Sequence, residues 1–235
     1  MIFNFAGKSV LVTGGTSGIG QAIAQAFAHA GARVLAAGLV SHELPTPGVD
    51  TQHLDVADAG AIGHLFETLP SLDILVNAAG VLRRDEEFDP EIFAQVLDIN
   101  LTGTMRMCVA AKPLLSKTGG CIVNIASMLS YFGGARVPAY SASKGGVAQL
   151  TKSLALAWAG GGIRVNAVAP GWIATPLTQL LQEDPARSAQ LLSRTALARW
   201  GRPEEIAGPV LFLCSEAASF ITGAMVPVDG GYSAG

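Results

Sequence analysis

At 235 residues the chain is long enough for one large domain with a substantial buried core. Half of it is apolar and only 14% is charged, which excludes intrinsic disorder. The formal net charge of −3 gives no electrostatic footing for nucleic acid or an anionic membrane as partner.

The opening residues MIFNFAGKSVLVTGG lack a basic region followed by a long apolar core, so they do not read as a signal peptide. Ser9–Val12 is a short apolar run of strand type, followed at once by a loop with Gly14, Gly18 and Gly20. Ile19, Ile23 and Phe27 then recur at helical spacing, and Gly31 ends that helix. RVLAAG from Arg33 predicts a second strand, TQHLDV from Thr51 a third, and DAGAIGHLFETL from Asp58 a short helix. Between strands two and three, GLVSHELPTPGVD has two prolines and no helical period, so a loop is expected there.

LDILVNAAG, apolar on both faces, predicts a fully buried fourth strand. Asp89 and Pro90 form the cap and first position of a long helix that carries Asn100 in its interior. GGCIVNIAS is a fifth strand, AYSASKGGVAQLTKSLALAWA a helix, and IRVNAVAP a sixth strand. A polar stretch leads to the helix PEEIAGPVLFLCS and the closing strand AMVPVDGG. Such alternation implies a single-domain α/β fold of Rossmann type: a doubly wound parallel sheet of about seven strands with helices on both faces. No run approaches the ~20 apolar residues of a membrane span, and a cytoplasmic location is expected. Cys108, Cys121 and Cys214 have neither metal-ligand nor redox spacing, and read as buried small hydrophobes. His29, His42, His53 and His64 are scattered, and read as surface or helix-face residues. No metal is expected.

The glycine loop joins the first strand to the first helix, where backbone N–H groups and the helix dipole can hold a pyrophosphate. Gly14 permits the tight turn, Gly18 close backbone approach and Gly20 helix–strand packing; Thr13, Thr16 and Ser17 add hydroxyls. Tyr140 and Lys144 lie four apart near a helix start and so share a face. A phenol near its ordinary pKa of ~10 is a poor proton carrier at neutral pH, and an ammonium beside it is expected to lower that value. Ser127, at the end of the fifth strand, is placed to hydrogen-bond a substrate oxygen. An interior helical Asn such as Asn100 is mildly unfavourable, which hints at a local use.

T-G-x-x-x-G-I-G, NAAG (Asn77–Gly80), Y-S-A-S-K (Tyr140–Lys144) and PG (Pro170–Gly171) together resemble the short-chain dehydrogenase/reductase family, from about Gly7 to Gly231. The resemblance implies a catalytic set of Asn100, Ser127, Tyr140 and Lys144. Tyr140 would exchange the proton and Ser127 polarise the carbonyl or alcohol. Lys144 would also bind the nicotinamide ribose, and Asn100 a water in the proton relay. It further implies cofactor contacts at Gly14, Thr16, Ser17, Gly18, Ile19, Gly20, Asp55, Val56, Asn77, Ala78, Gly80, Pro170, Gly171, Ile173 and Thr175. Among these, Asp55 would meet the adenine, and Ile173 and Thr175 the nicotinamide carboxamide. A homotetramer is the assembly the family implies.

The end of the second strand discriminates between cofactors: an acid there favours NAD, a base NADP. Here Gly38 and Leu39 carry neither signal, and Thr16 and Ser17 supply no cation. NAD is therefore favoured over NADP. GVLRRDE, NIASMLSYFGGARVPAYSASK and RSAQLLSRTALARWGRP resemble the 2-dehydro-3-deoxy-D-gluconate 5-dehydrogenase subgroup, which implies a small-molecule sugar acid as substrate. Arginine binds carboxylates bidentately. Arg136 is the first candidate, followed by Arg83, Arg84 and Gln179. The alternatives are a 3-oxoacyl-[acyl-carrier-protein] reductase, another short-chain alcohol dehydrogenase, or a catalytically silent nucleotide-binding module.

Overall fold

A computed structural model describes residues 3–39 and 47–235. Seven parallel strands, β1 (Ser9–Thr13), β2 (Arg33–Gly38), β3 (Val49–His53), β4 (Ile74–Asn77), β5 (Cys121–Ile125), β6 (Arg164–Pro170) and β7 (Met225–Val228), form one sheet. Their order is β3-β2-β1-β4-β5-β6-β7, so the direction of winding reverses between β1 and β4. In such sheets the ligand crevice opens at the carboxyl ends of the strands beside that reversal.

The strands are apolar on both faces because both faces are covered. Val10 and Val12 of β1 point to one side, with Ile23 and Phe27 of α1 (Gly18–His29) and Val210 and Leu213 of α8 (Pro203–Cys214). Leu11 points to the other, with Ile62 and Leu65 of α2 (Ala59–Thr68). Met107 and Leu115 of α4 (Gly103–Thr118) and Leu154 of α5 (Pro138–Trp158) complete that layer. A buried polar chain ties the central strands to α5: Asn77 Nδ2 donates to Asn124 Oδ1 at 2.9 Å, and Asn124 Nδ2 to Thr151 Oγ1 at 2.9 Å.

The long helix expected from Pro90 is broken. α3 (Pro90–Leu97), capped by Asp89, passes into a π-helical segment, Asp98–Thr102, before α4 begins. Asn100 sits in that segment, where it is fully buried, and its polar side chain needs partners outside the helix. The third strand starts at Val49 and ends at His53, so Asp55 lies beyond the strand and not at its end. The polar stretch before α8 contains two short helices, α6 (Gln179–Gln182) and α7 (Pro185–Ser193). The loop expected between strands two and three, with His42, falls largely on residues outside the described ones.

Cys121 and Cys214, distant in sequence, meet side chain to side chain at the amino edge of the sheet. Cys108 is buried, and burial pushes its thiol up to about 12 despite a hydrogen bond from Asn77. Among the described residues no helix is long and apolar enough to cross a membrane.

Candidate active site

Two adjoining cavities of about 390 and 230 Å³ open at the carboxyl edge of the sheet and share Gly14, Ser17, Ala79 and Gly80. Together they form one elongated cleft at the winding reversal. Gly14 has φ +63°, and a Cβ on it would lie 2.7 Å from the main-chain nitrogen of Ala79. Only glycine lets the loop turn here while touching the β4 turn. Ser17 caps α1 without a side-chain hydrogen bond, and Gly18, Ile19 and Gly20 of its first turn line the cleft. A helix start with uncapped N–H groups and a positive dipole end is suited to a dinucleotide pyrophosphate.

The expected cofactor residues divide into two groups. Gly14, Thr16, Ser17, Gly18, Ile19, Gly20, Asp55, Val56, Ala78, Gly80, Tyr140, Lys144 and Thr175 line the cleft. Asn77, Pro170, Gly171 and Ile173 do not. Asn77 is buried in the sheet, and a Cβ on Gly171 would meet the Asp229 main chain at 2.6 Å. Ile173 is buried beside Gly201, and its carbonyl accepts from Thr178 Oγ1 at 2.7 Å.

The catalytic candidates converge at one end of this cleft. Pro138 occupies the first position of α5, which brings Tyr140 and Lys144 into its opening turns. The Lys144 Nζ lies 5.6 Å from the Tyr140 ring centroid and donates to the Ile125 carbonyl at 2.7 Å. Burial lowers this ammonium to about 8. Ser127 Oγ accepts from the Leu129 N–H at 3.1 Å, which fixes the hydroxyl at the end of β5, where it hydrogen-bonds the phenol.

The Tyr140 phenol stands opposite to expectation. Burial pushes it up to about 12, the Ser127 hydrogen bond pulls back only partly, and the Glu87 charge adds to the rise. Lys144, whose Nζ donates to the Ile125 carbonyl, does not reverse this rise.

Asn100 is held by its surroundings. Its Oδ1 accepts from Val81 N–H at 2.8 Å, and its Nδ2 donates to Val81 O at 2.9 Å and Ser143 Oγ at 3.1 Å. The amide thereby pins the strand-four turn against α5. A Cβ on Gly80 would lie 3.3 Å from Asn100 Oδ1 and 3.7 Å from Lys144 Nζ, so these groups share one corner of the cleft.

The arginine candidates are reordered. Arg136, the first choice for a substrate carboxylate, is committed to both carboxylate oxygens of Asp85. Gln179 is exposed and donates to Glu183 at 2.8 Å, and Arg83 is exposed. Arg84 is half-buried, has no carboxylate within ion-pair distance among the described residues, and is held below its ordinary range by desolvation and by Arg136.

Glu87 was not expected at the site. It is 1% exposed, and its carboxylate accepts from the main-chain N–H groups of Arg83 at 2.9 Å and Tyr140 at 2.8 Å. In the acidic run DEEF nothing local separates it from a solvated face.

The family model described as enoyl-(acyl carrier protein) reductase, of the adh_short_C2 type, matches residues 14–233. A curated relative, 2-dehydro-3-deoxy-D-gluconate 5-dehydrogenase of Bacillus subtilis, is 41% identical over 98% of this chain and 96% of its own length. A crystal structure from Agrobacterium tumefaciens, provisionally assigned as a 2-deoxy-D-gluconate 3-dehydrogenase and holding NADP, superposes with a TM-score of 0.92. It is 42% identical and covers 100% of this chain and 99% of its own. A gluconate 5-dehydrogenase of Burkholderia cenocepacia, in complex with NADP and tartrate, has a TM-score of 0.92 at 32% identity, covering 100% and 98%.

Proposed function

Because the chain belongs to the short-chain dehydrogenase/reductase family, we propose that it interconverts a secondary alcohol and a ketone on a sugar acid such as a deoxy-gluconate. The observation that carries this reading is Tyr140 and Lys144 lining the cleft with Ser127 beside the phenol; Arg84, half-buried and without an ion pair among the described residues, supports an acid as substrate. When bound, the nicotinamide supplies or accepts the hydride. The uncapped turn at Gly18–Gly20 would hold the pyrophosphate, Asp55 and Val56 the adenosine end, and Lys144 and Thr175 the nicotinamide end.

In the reducing direction the Tyr140 phenol gives its proton to the carbonyl oxygen and becomes phenolate; in oxidation the phenol must first release its proton, and the phenolate then takes the proton from the hydroxyl. A phenol pushed up by burial rests in the proton-carrying form. Ser127 donates a hydrogen bond to the same oxygen as charge grows there. Among the described residues lining the cleft, Lys144 is the cation beside the phenol, with its Nζ 5.6 Å from the ring centroid. Asn100, with both amide hydrogens committed, retains a lone pair on Oδ1 for a water of the relay. Arg84 binds the substrate carboxylate.

Gly38 and Leu39 at the adenosine end carry no charge, and among the described residues no cation faces that position, which favours NAD. The NADP held by the two solved relatives weighs the other way. The ratio of kcat/KM for the two cofactors tests the preference. We also read the protein as a cytoplasmic homotetramer. Met105 and Val109 of α4 and Leu156 of α5 leave apolar side chains in solvent, which supports subunit contacts. A monomeric sedimentation profile overturns that assembly.

The substrate class is tested with a panel of sugar acids and short 3-oxoacyl thioesters, following the absorbance of reduced nicotinamide with both cofactors. The highest kcat/KM is expected on a sugar acid. A highest value on a thioester establishes instead the acyl-carrier reading.

A further inference from the structure

We propose that Glu87 is a positioning residue, whose carboxylate clasps the arginine-bearing turn to the first turn of α5 and so sets the span between Arg84 and Tyr140. Two segments far apart in sequence, 83–87 and 136–140, are joined at two points. At the outer point the Asp85 N–H donates to the Arg136 carbonyl at 2.9 Å, and the Asp85 carboxylate takes the Arg136 guanidinium. At the inner point Glu87 receives the N–H groups of Arg83 and Tyr140.

The two points differ in kind. The outer pair is about half exposed on both sides, where water and salt screen it. Glu87 is buried, and a buried carboxylate persists only when hydrogen-bonded donors replace its water. Its donors are main-chain N–H groups, one of them in the first turn of the 21-residue helix α5. Val137, the cap residue of α5, gives that turn no side-chain hydrogen bond. Glu87 thus caps the helix from another element, at the positive end of its dipole. Its second oxygen anchors Arg83, the neighbour of Arg84. One rigid carboxylate therefore connects the proton carrier to the residue that would hold the far end of the substrate.

This inference rests on the sugar-acid reading for the role of Arg84, and a double-mutant cycle on the full chain tests it. The variants are Glu87→Gln, Arg84→Met and their combination, assayed on D-gluconate and 2-deoxy-D-gluconate, with thermal unfolding recorded for each. Glu87→Gln preserves the packing and removes one acceptor. It is expected to lower kcat/KM on the sugar acid about tenfold or more, the scale of a modest misplacement of reacting groups. The KM for cofactor is expected to stay within about twofold. With Arg84→Met already in place, adding Glu87→Gln is expected to cost less than about threefold, because the span no longer matters. A merely structural role gives additive losses. Glu87→Asp, which retains the charge on a shorter arm, is the second probe and is expected to show the same coupling at smaller size. Additive losses in both series, with wild-type turnover of a sugar acid intact, overturn this inference alone. A wild-type enzyme inactive on every sugar acid overturns it together with the substrate reading.

Discussion

In the proposed reaction Tyr140 and Ser127 divide the proton chemistry in a way that a single substitution can expose. Tyr140→Phe removes the hydroxyl and leaves the ring beside Lys144, so the cleft wall survives. Turnover is expected to fall about 10²- to 10⁴-fold, the usual contribution of a positioned acid/base. Cofactor affinity, measured by fluorescence titration, is expected to change by less than about threefold. Wild-type turnover in this variant removes Tyr140 from the mechanism. The arginines offer a second contrast. Arg84→Met is expected to raise KM for a sugar acid about 10- to 100-fold, the value of a lost charged hydrogen bond. An uncharged polyol, assayed alongside, is expected to be indifferent to that change. Arg136→Met is expected to do less, because its guanidinium already serves Asp85. The reverse order assigns the carboxylate to Arg136.

At the scale of elements, what could be read from the chain was what local signals carry. The β1–loop–α1 unit shows its strand, glycines and helical period within one window, and the structure places it at the winding reversal. The start of α5 is equally local, with Pro138 at its first position. The π segment was hidden, because periodicity alone cannot reveal a register change inside a continuous helix; only the misfit of buried Asn100 hinted at it. The helix α7 was missed although Asp184 and Pro185 repeat the cap signal of Asp89 and Pro90; its polar face concealed it. Pairings across the fold gave no signal at all. Asp85 with Arg136, Glu87 with Tyr140 and Cys121 with Cys214 are set by tertiary approach, which a linear reading lacks. The end of β2 gives an element-scale test. Leu39 is 60% exposed and lines the cleft at its proposed adenosine end, so Leu39→Arg adds a cation there at little structural cost. The kcat/KM ratio of NADP to NAD is expected to rise about tenfold or more, as a 2′-phosphate gains a charged partner. An unchanged ratio moves the discrimination elsewhere.

For the whole molecule, the site costs stability, and the cost has a pH signature. Lys144 ionises near 8 in the folded protein against an ordinary 10.5, because burial disfavours its charge. Between those values the unfolded chain binds the proton that the folded chain has lost, so stability rises with pH across that window. Tyr140 acts in the opposite sense: with its folded value near 12 against an ordinary 10.0, the folded state retains the proton longer, and stability falls as pH climbs from 10 to 12. At pH 7 Lys144 is charged, buried and compensated mainly by one carbonyl, that of Ile125. Replacing it with an apolar side chain of similar length is therefore expected to relieve a desolvation cost that the proposed chemistry requires. Lys144→Met is expected to raise the unfolding temperature at pH 7 by about 2–4 °C, the response of a chain this size to roughly 1 kcal/mol. Its catalytic activity is expected to collapse. The gain is expected to shrink as pH rises from 8 towards 10.5, since the folded wild type sheds the same charge there. Calorimetry on both proteins across that range decides the matter. A destabilised variant at pH 7, or a gain that does not change with pH, shows that the Lys144 ammonium is satisfied by its surroundings and is not held there at a cost.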